Sequence, residues 1–366
     1  MSKAAELAAL IGSQSALSNR NMVSNGAMLI NQRGSATAAS GTALTYGGVD
    51  RWRIYKQDST AVLDISQSTN VPSGQGFKYS YKVDVTTADS SVAADHRCDV
   101  IFRWEGQDLQ HLKKGTSEAL ATTVSFWVKS SKTGTHICEM FDNDNTRQIS
   151  KAYTVNTADT WEHKTITFEG DTTGAYAADN GNSMQISWWL MSGSTTGGGT
   201  LNTTWASNTQ ANRAVGQVNV LDSTSNEWYI TGVQLEVGEQ ATPFEHRSFG
   251  NELARCQRYF VDCGLGSNSS SVVSIGADAQ YSHIRGTQVV FPVQMRATPT
   301  VTIQSGSANS MDRYGRGQEE CYPQAEGMTT FGFDVIRSRN SDGTNRAWTD
   351  TGLYMNRAGY SAEAEL

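Results

Sequence analysis

The chain has 366 residues, and its 36 acidic and 29 basic side chains give it a formal net charge of −7. This negative balance disfavours nucleic acid as the main partner, because binding to a phosphate backbone depends on clustered Lys and Arg. Charged residues make up only 18% of the chain, whereas 9 Trp, 13 Tyr and 11 Phe supply much apolar surface to bury, which excludes an intrinsically disordered protein. The composition is typical of a β protein, and the length allows two domains.

The N-terminal segment, residues 1–20, contains a short apolar pattern. Residues 4–11, AAELAALI, predict a short helix that ends at Gly12. A helix of this length is marginal alone in water, so we expect it to dock on this protein or on a partner. The sequence lacks the apolar core of a signal peptide and any stretch suited to membrane insertion. We therefore interpret residues 1–20 as an attachment segment.

Residues 21–247 show short strands without helical periodicity. In residues 78–85, KYSYKVDV, apolar and polar side chains alternate, as in a half-buried antiparallel strand. Turn sequences such as Asn180-Gly181 and the triple glycine at 197–199 separate the strands. Eight to ten strands with long polar connections predict a two-sheet sandwich of jelly-roll type.

The stretch from residue 226 to residue 262 changes period in its middle. Alternation predicts a strand in which Tyr229, Thr231, Val233 and Leu235 share one face. A connecting helix is expected over residues 248–262, with Ser248 as its N-cap. On its polar side we expect Glu252 to pair with Arg255. The opposite side carries a narrow apolar stripe that predicts a seam of a homo-oligomer, most simply a trimer: Phe249, Leu253, Cys256 and Phe260.

Residues 263–366 return to strand patterns and are predicted to form a smaller C-terminal β domain. Alternation continues through residues 360–366, and such a strand is expected to pair inside a sheet, since otherwise it would be an exposed edge. The five cysteines are an odd number without CxxC spacing, which indicates free thiols.

Several motifs resemble a family of virion appendage proteins of tailed bacteriophages, the tail-fibre and head-fibre-like proteins that carry a jelly roll similar to carbohydrate-binding modules. The most specific resemblance is GVQLEVGEQATPFEHR followed by ELARCQRYF, over residues 232–260. FPVQMRATPTVT and the terminal AEAEL resemble the C-terminal domain of that family. Shorter matches stand nearer the start of the chain: Asn25-Gly26, Gln32-Arg33-Gly34, Asp50-Arg51-Trp52, SFWVKSS and TADTWEHKTITFEGDTTG.

The resemblance implies a structural, non-enzymatic particle component, often trimeric, that is made in the host cytoplasm and displayed on the virion to meet the host surface. Other virion proteins would then bind residues 1–20, and host surface polysaccharide would be the external partner. A stand-alone carbohydrate-binding module and, less favoured, a glycan-degrading enzyme remain the alternatives.

The sequence contains no HExxH, GxSxG, P-loop or Cys–His motif, so we expect no catalytic residues and no cofactor. Asp142 and Asp144, in FDNDNTR, begin like an oxygen-rich calcium loop, but Arg147 stands where that loop needs glycine. Two hypotheses follow for Asp142 and Asp144: a hairpin turn, or a structural calcium held between sandwich loops.

Trp188 and Trp189 point to opposite faces of one predicted strand. Trp189 alternates with Gln185 on the face that lacks the main apolar series. Sugars stack on aromatic rings beside amide groups, so Trp189 and Gln185 are a candidate glycan platform. Replacing Trp189 would then weaken glycan binding without changing the fold. Burial of Trp189 at a subunit interface is the alternative.

Overall fold

The computed structural model describes residues 19–263, 273–278, 283–286, 288–303, 311–313, 317–319, 322–339, 353–356 and 360–366. The chain divides into two compact units, Met1–Glu252 with Leu366, and Leu253–Glu365. The division falls inside the region 248–262, for which the sequence predicts a connecting helix. The predicted helix over residues 4–11 lies outside the described residues. No described helix has the length and apolar character that a membrane crossing requires.

The first unit is a sandwich of two antiparallel sheets. Its strands are β1 (Ala36–Ala38), β2 (Gly41–Gly47), β3 (Val49–Ser59), β4 (Val62–Ser68), β5 (Ser80–Thr87), β6 (Arg97–Glu105), β7 (Thr122–Ser130), β8 (Gly134–Asp142), β9 (Arg147–Val155), β10 (Glu162–Phe168), β11 (Asn182–Ser192), β12 (Ala206–Ser207) and β13 (Glu227–Val237). The six-stranded sheet has the order β1-β4-β5-β13-β7-β10, and the seven-stranded sheet the order β12-β9-β8-β11-β6-β3-β2. The predicted jelly-roll sandwich is thereby confirmed.

The inner faces of the two sheets form one hydrophobic core. The ring of Phe126 on β7 meets the ring of Trp188 on β11 edge-on, with 5.6 Å between the centroids. The ring centroid of Trp52 on β3 lies 6.3 Å from that of Tyr81 on β5, so this contact also joins the two sheets. All four side chains are fully buried, and burying an aromatic ring of this size contributes on the order of 2–3 kcal/mol.

A bulge divides β13 into two halves. Thr231 pairs with Trp127 on β7, but the next paired residue on β13 is Gln234, so two residues in between have no partner on β7. Gly232, one of these two, has a φ of +62°, a value that favours glycine.

Because the bulge adds one residue, the side chains beyond it change faces. Trp228 and Ile230 before it, and Val233 and Leu235 after it, all lie in the core. The prediction that Tyr229 and Thr231 share a face with Val233 is therefore wrong.

Residues 21–26 supply hydrogen-bond partners for backbone groups in the second half of β13. Val233 N–H donates to Gly26 O at 2.9 Å, and Met22 N–H donates to Leu235 O at 2.8 Å. The buried Asn21 side chain donates to Val233 O at 3.1 Å and accepts from Leu235 N–H at 3.2 Å. A Cβ on Gly26 would lie 2.1 Å from Val233 O, so this close approach requires glycine. We call this pairing the N-terminal clamp.

Polar side chains after β13 hold the N-terminal clamp from outside. Glu245 accepts hydrogen bonds from the backbone N–H groups of Asn19 and Asn21, at 2.6 and 2.9 Å. Arg247 donates to the carbonyls of Asn21 and Val23 and pairs with Glu252 at 3.0 Å. These residues belong to the GVQLEVGEQATPFEHR motif and the segment after it, so that motif holds the start of the sandwich in place.

The helices are short. In the part of the chain that the structure describes they are α1 (Ser194–Gly197) and α2 (Phe249–Gln257), with single 3₁₀ turns at Gly106–Asp108, Gln110–Leu112 and Gln210–Asn212. Ser248 Oγ accepts from Asn251 N–H at 3.3 Å, which confirms its capping role. Glu252 does not lie on a wet face as predicted. It is buried, pairs with Arg247, and accepts from Asn25 N–H.

The oligomer seam predicted on α2 is not one uniform stripe. The helix ends at Gln257, and Phe260 begins a strand instead. Cys256 is fully buried and Leu253 is half-buried, whereas Phe249 is 58% exposed. The helix ends early because Tyr259 N–H already bonds to Cys256 O in a tighter turn.

The described residues of the second unit form three small sheets and a separate core. Phe291, Phe333 and Tyr360 are centred in that core. The prediction that a strand near residue 360 pairs inside a sheet is confirmed, since β24 (Tyr360–Glu363) lies between β14 (Phe260–Cys263) and β18 (Thr300–Ile303). The strands are β14 (Phe260–Cys263), β15 (Val273–Asp278), β16 (His283–Gly286), β17 (Gln288–Val290), β18 (Thr300–Ile303), β19 (Met311–Arg313), β20 (Gly317–Glu319), β21 (Tyr322–Glu326), β22 (Gly332–Arg339), β23 (Leu353–Asn356) and β24 (Tyr360–Glu363).

Asn21→Ala is expected to destabilise the sandwich by about 2–4 kcal/mol, because it leaves buried backbone groups of Val233 and Leu235 without their partner. Tryptophan fluorescence during urea unfolding measures this, since eight of the nine tryptophans belong to the first unit. Asn156→Ala, at an exposed loop, is the control and should cost less than about 1 kcal/mol. Equal midpoints for Asn21→Ala and wild type would show that the clamp contributes nothing.

Candidate functional site

The outer face of the seven-stranded sheet carries an alternating stack of aromatic and cationic side chains. The guanidinium of Arg97 lies over Tyr55, at 4.9 Å from the ring centroid, and over Trp189, at 4.5 Å. Arg213 lies 5.3 Å from the centroid of Trp189 and 4.9 Å from that of Phe141. The stack therefore runs from β3 across β6 and β11 to β8, and we call it the cation–aromatic stack.

Two buried carboxylates fix the cations of this stack. Asp99 accepts from Arg97 at 2.8 and 3.0 Å, and Glu139 accepts from Arg213 at 2.7 and 2.9 Å. The indole N–H of Trp189 also donates to Glu139, at 3.1 Å. Paired, bidentate contacts of this kind satisfy charges that would be costly to bury alone.

The structure corrects the predicted glycan platform. Trp189 is 0% exposed, packs with Ile137 and Ala214, and has a cation over its ring, so it offers no surface to a sugar. Gln185 is also buried, and its side-chain oxygen accepts from Arg103 at 3.2 Å. Arg213 and Ala214 belong to the connection between β12 and β13, which covers this part of the sheet. Alternation in the sequence places Trp189 on the outward face of the sheet, but it cannot show that the connection between β12 and β13 packs over that face.

Asp142 is at the end of β8, and its carboxylate binds a lysine. Lys114 Nζ lies 2.6 Å from Asp142 and 3.1 Å from Asp171. The same ammonium donates to the carbonyls of Thr173 and Gly174, at 2.8 and 2.7 Å. The oxygen-rich position beside Asp142 is thus filled by an ammonium group of the protein itself.

The carboxylate of Asp144 has a different partner from that of Asp142. Its carboxylate accepts from Ala177 N–H at 2.9 Å, and residues 143–146 form the turn between β8 and β9. Among the residues that the structure describes, no cluster of three or more His, Cys, Asp or Glu is placed to hold a metal. The geometry at Asp142 and Asp144 is that of the hairpin-turn hypothesis.

A cavity of about 420 Å³ opens beside this ion pair. The buried Tyr176 lies in its wall, with Lys114 Nζ 5.1 Å from the ring centroid. Burial, and then the nearby Asp142, raise the pKa of Tyr176 well above its usual range, which keeps the phenol protonated. The lining residues are Leu109, Gln110, Lys113, Lys114, Thr116, Glu118, Ala175 and Tyr176.

The outer face of the six-stranded sheet differs, because two of its indoles remain partly open to solvent. Trp127 on β7 and Trp161, just before β10, are both half-buried. Trp161 meets Tyr229 of β13 edge-on at 6.1 Å, and its N–H donates to the exposed Asn70 at 3.1 Å. The ring centroid of His163 lies 5.1 Å from that of Trp127. We call these five residues the aromatic face.

Charged groups surround the aromatic face. Lys82 lies 2.7 Å from Glu227 and 3.0 Å from Asp84, and Tyr229 Oη donates to Glu227 at 2.6 Å. Burial acts to raise the pKa of Glu227, but hydrogen bonds from Lys82 and Tyr229 outweigh it and lower that pKa. Lys129 Nζ lies 4.4 Å from the ring centroid of Tyr229.

The aromatic face is not among the sites predicted from the sequence, although the sequence contains one signal for it. In SFWVKSS, Trp127 stands between Phe126 and Val128, which are core residues, so it must point outward. The expectation that Tyr229 shares a face with Val233 and Leu235 treats β13 as one unbroken alternation, whereas the bulge at Gly232 separates the two halves.

No protein-family model and no curated protein matches this chain. Among solved structures, part of the chain is similar to the enzymatically active domain of tailspike protein 4 of bacteriophage CBA120, with 14% identity and a TM-score of 0.32. This match covers 60% of the chain but only 22% of the tailspike chain. A putative sugar binding protein from Bacteroides thetaiotaomicron is 10% identical, with a TM-score of 0.32. This match covers 60% of the present chain and 100% of the Bacteroides protein. The family 11 carbohydrate-binding module of Clostridium thermocellum Lic26A-Cel5E is 13% identical, with a TM-score of 0.27. This match covers 56% of the present chain and 98% of the module.

Trp189→Ala is expected to destabilise the sandwich by about 3–5 kcal/mol, because it empties a buried ring site and removes a donor to Glu139. Trp161→Ala is the matched control and should cost about 1 kcal/mol, since that indole is half-buried and its hydrogen bond is exposed. Urea unfolding of both variants measures the difference. Equal losses would show that the cation–aromatic stack does not stabilise the fold.

Proposed function

We propose that this chain is a non-enzymatic structural subunit of a tailed-bacteriophage appendage and that it contacts host surface glycans through the aromatic face. The observation that carries the glycan role is the pair of half-buried indoles, Trp127 and Trp161, on a rigid sheet beside Asn70. Sugar rings stack on indoles through their C–H faces, and amide groups bind their hydroxyls.

The appendage role is supported by the motifs that resemble phage virion proteins and by what their residues do. Glu245 and Arg247 hold the N-terminal clamp, and Gln234 accepts from Glu245 N–H at 2.8 Å. These side chains position the segment that follows residues 1–20. We infer that residues 1–20 bind other virion proteins and that the clamp fixes where this attachment enters the sandwich.

Binding without cleavage fits the carboxylates around the aromatic face. A glycosidase needs one carboxyl group with a raised pKa to donate a proton. On this face, burial acts to raise the pKa of Glu227, but hydrogen bonds from Lys82 and Tyr229 lower it. Glu227 therefore stays ionised at neutral pH and serves as a hydrogen-bond acceptor.

Trp161→Ala and Trp127→Ala are each expected to weaken glycan binding about 5- to 30-fold, because each removes a stacking ring worth roughly 1–2 kcal/mol. Binding to host surface polysaccharide by isolated protein and by particles measures this. Trp205→Ala removes a half-buried indole next to β12 of the other sheet and should leave binding unchanged. Release of new reducing ends by the wild-type chain, or binding equal to wild type in both variants, would contradict the proposal.

The appendage proposal also predicts that the purified chain is a homotrimer and is present on intact virions. Phe249→Asp should give a folded monomer, because Phe249 is 58% exposed in the single chain and is free to contact another copy. Light scattering at micromolar concentration gives the mass, and immunogold labelling of purified particles gives the location. A wild-type monomer would remove the trimer from the proposal, and unlabelled particles would remove the appendage role.

A further inference from the structure

Lys129 differs from the other charged side chains around the aromatic face. It is 9% exposed, its stem is buried on the sheet, and its ammonium lies 4.4 Å from the ring centroid of Tyr229. Among the described residues, no hydrogen bond or ion pair from the Lys129 ammonium to a carboxylate is present. The cation–π contact with Tyr229 leaves its N–H groups available, since an ammonium has three donors.

Two acids of this face, by contrast, bind a lysine. Asp84 and Glu227 share Lys82, at 3.0 and 2.7 Å. His163 adds no fixed charge at neutral pH, because burial lowers its pKa. Lys129, whose register partner on β13 is Tyr229, makes no direct ion pair with these acids, although its charge helps to lower the pKa of Glu227.

We propose that the sugar bound at the aromatic face carries an anionic substituent, a carboxylate or a phosphate, and that the Lys129 ammonium binds it. This inference rests on the proposed function and names the class of glycan. Stacking on Trp161 would bring a ring substituent next to Tyr229, since the two rings are 6.1 Å apart, and Lys129 lies over that same tyrosine.

The negative net charge of the chain does not oppose this selectivity. At physiological ionic strength charges separated by more than about 8 Å are largely screened, so the groups at the site decide which ligand charge is favoured. The Lys129 stem is already ordered by burial, so binding an anion costs little additional side-chain entropy. An anion there gains a charge-assisted hydrogen bond that a neutral hydroxyl does not provide.

The experiment uses an array of matched glycans and the full chain. Each uronic-acid or sialic-acid oligosaccharide is printed beside its carboxyl-reduced neutral counterpart, and phosphorylated glycans form a third set. We expect wild type to bind an anionic set about tenfold or more tightly than the neutral set, and Lys129→Gln to remove that difference. Lys113→Gln, which neutralises an exposed lysine elsewhere on the sandwich, should retain it. Whether the carboxylate or the phosphate set binds identifies the substituent.

A second measurement does not depend on folding of the variant. Wild-type binding to the anionic set should weaken as NaCl rises from about 0.05 to 0.5 M, whereas binding to the neutral set should not. Equal binding of anionic and neutral partners, or an unchanged preference in a folded Lys129→Gln, overturns this inference but leaves glycan binding intact. Absence of binding to every glycan, with Trp161→Ala indistinguishable from wild type, overturns the proposed function as well.

Discussion

The bulge in β13 leaves backbone groups near Val233 without partners on β7, and residues 21–26 supply them. Buried N–H and C=O groups must be paired, so the start of the sandwich and the second half of β13 depend on each other. The same extra residue turns Tyr229 outward while Val233 and Leu235 stay in the core. One irregularity therefore sets both the N-terminal clamp and the aromatic face. A β13 without its bulge could not keep Tyr229 outward and Val233 and Leu235 in the core at the same time.

The two outer faces of the sandwich illustrate different uses of the same residue types. On the seven-stranded sheet, Arg97 and Arg213 cover Trp189, and each arginine is held by its own buried carboxylate. Breaking such a pair would leave a buried charge without its partner and destabilise the fold by roughly 3–5 kcal/mol. This face therefore stays closed. On the six-stranded sheet no comparable pair is described over Trp127 or Trp161, and both indoles keep part of their surface in water. An aromatic residue on an outward strand face is thus a binding residue only where nothing longer folds over it.

The sequence predicted what depends on local periodicity and missed what depends on distant partners. Alternation gave the strands and the sandwich, and the cap at Ser248 followed from local chemistry. It could not show that Lys114 would fill the space beside Asp142, since the two meet only when separate loops of the sandwich come together. Glu252 was paired with Arg255 one turn away, whereas the fold offers it Arg247 and the Asn25 amide. The bulge at Gly232 shifts the apolar series by one residue, from Trp228 and Ile230 to Val233 and Leu235, and a single unbroken alternation through this strand misses that shift.

Affinity and selectivity at the aromatic face have separate physical sources. Two half-buried indoles on an open sheet give a shallow site, and sites of this kind bind in the millimolar range, around −4 kcal/mol. Several copies on one particle raise the effective affinity by about 10²–10⁴ without any new contact, so the indoles need not bind tightly. Multivalency multiplies the binding of right and wrong glycans alike, however, and cannot by itself distinguish them. Discrimination must come from a group whose interaction changes sign or strength with the ligand's charge, and on this face Lys129 is placed to supply it.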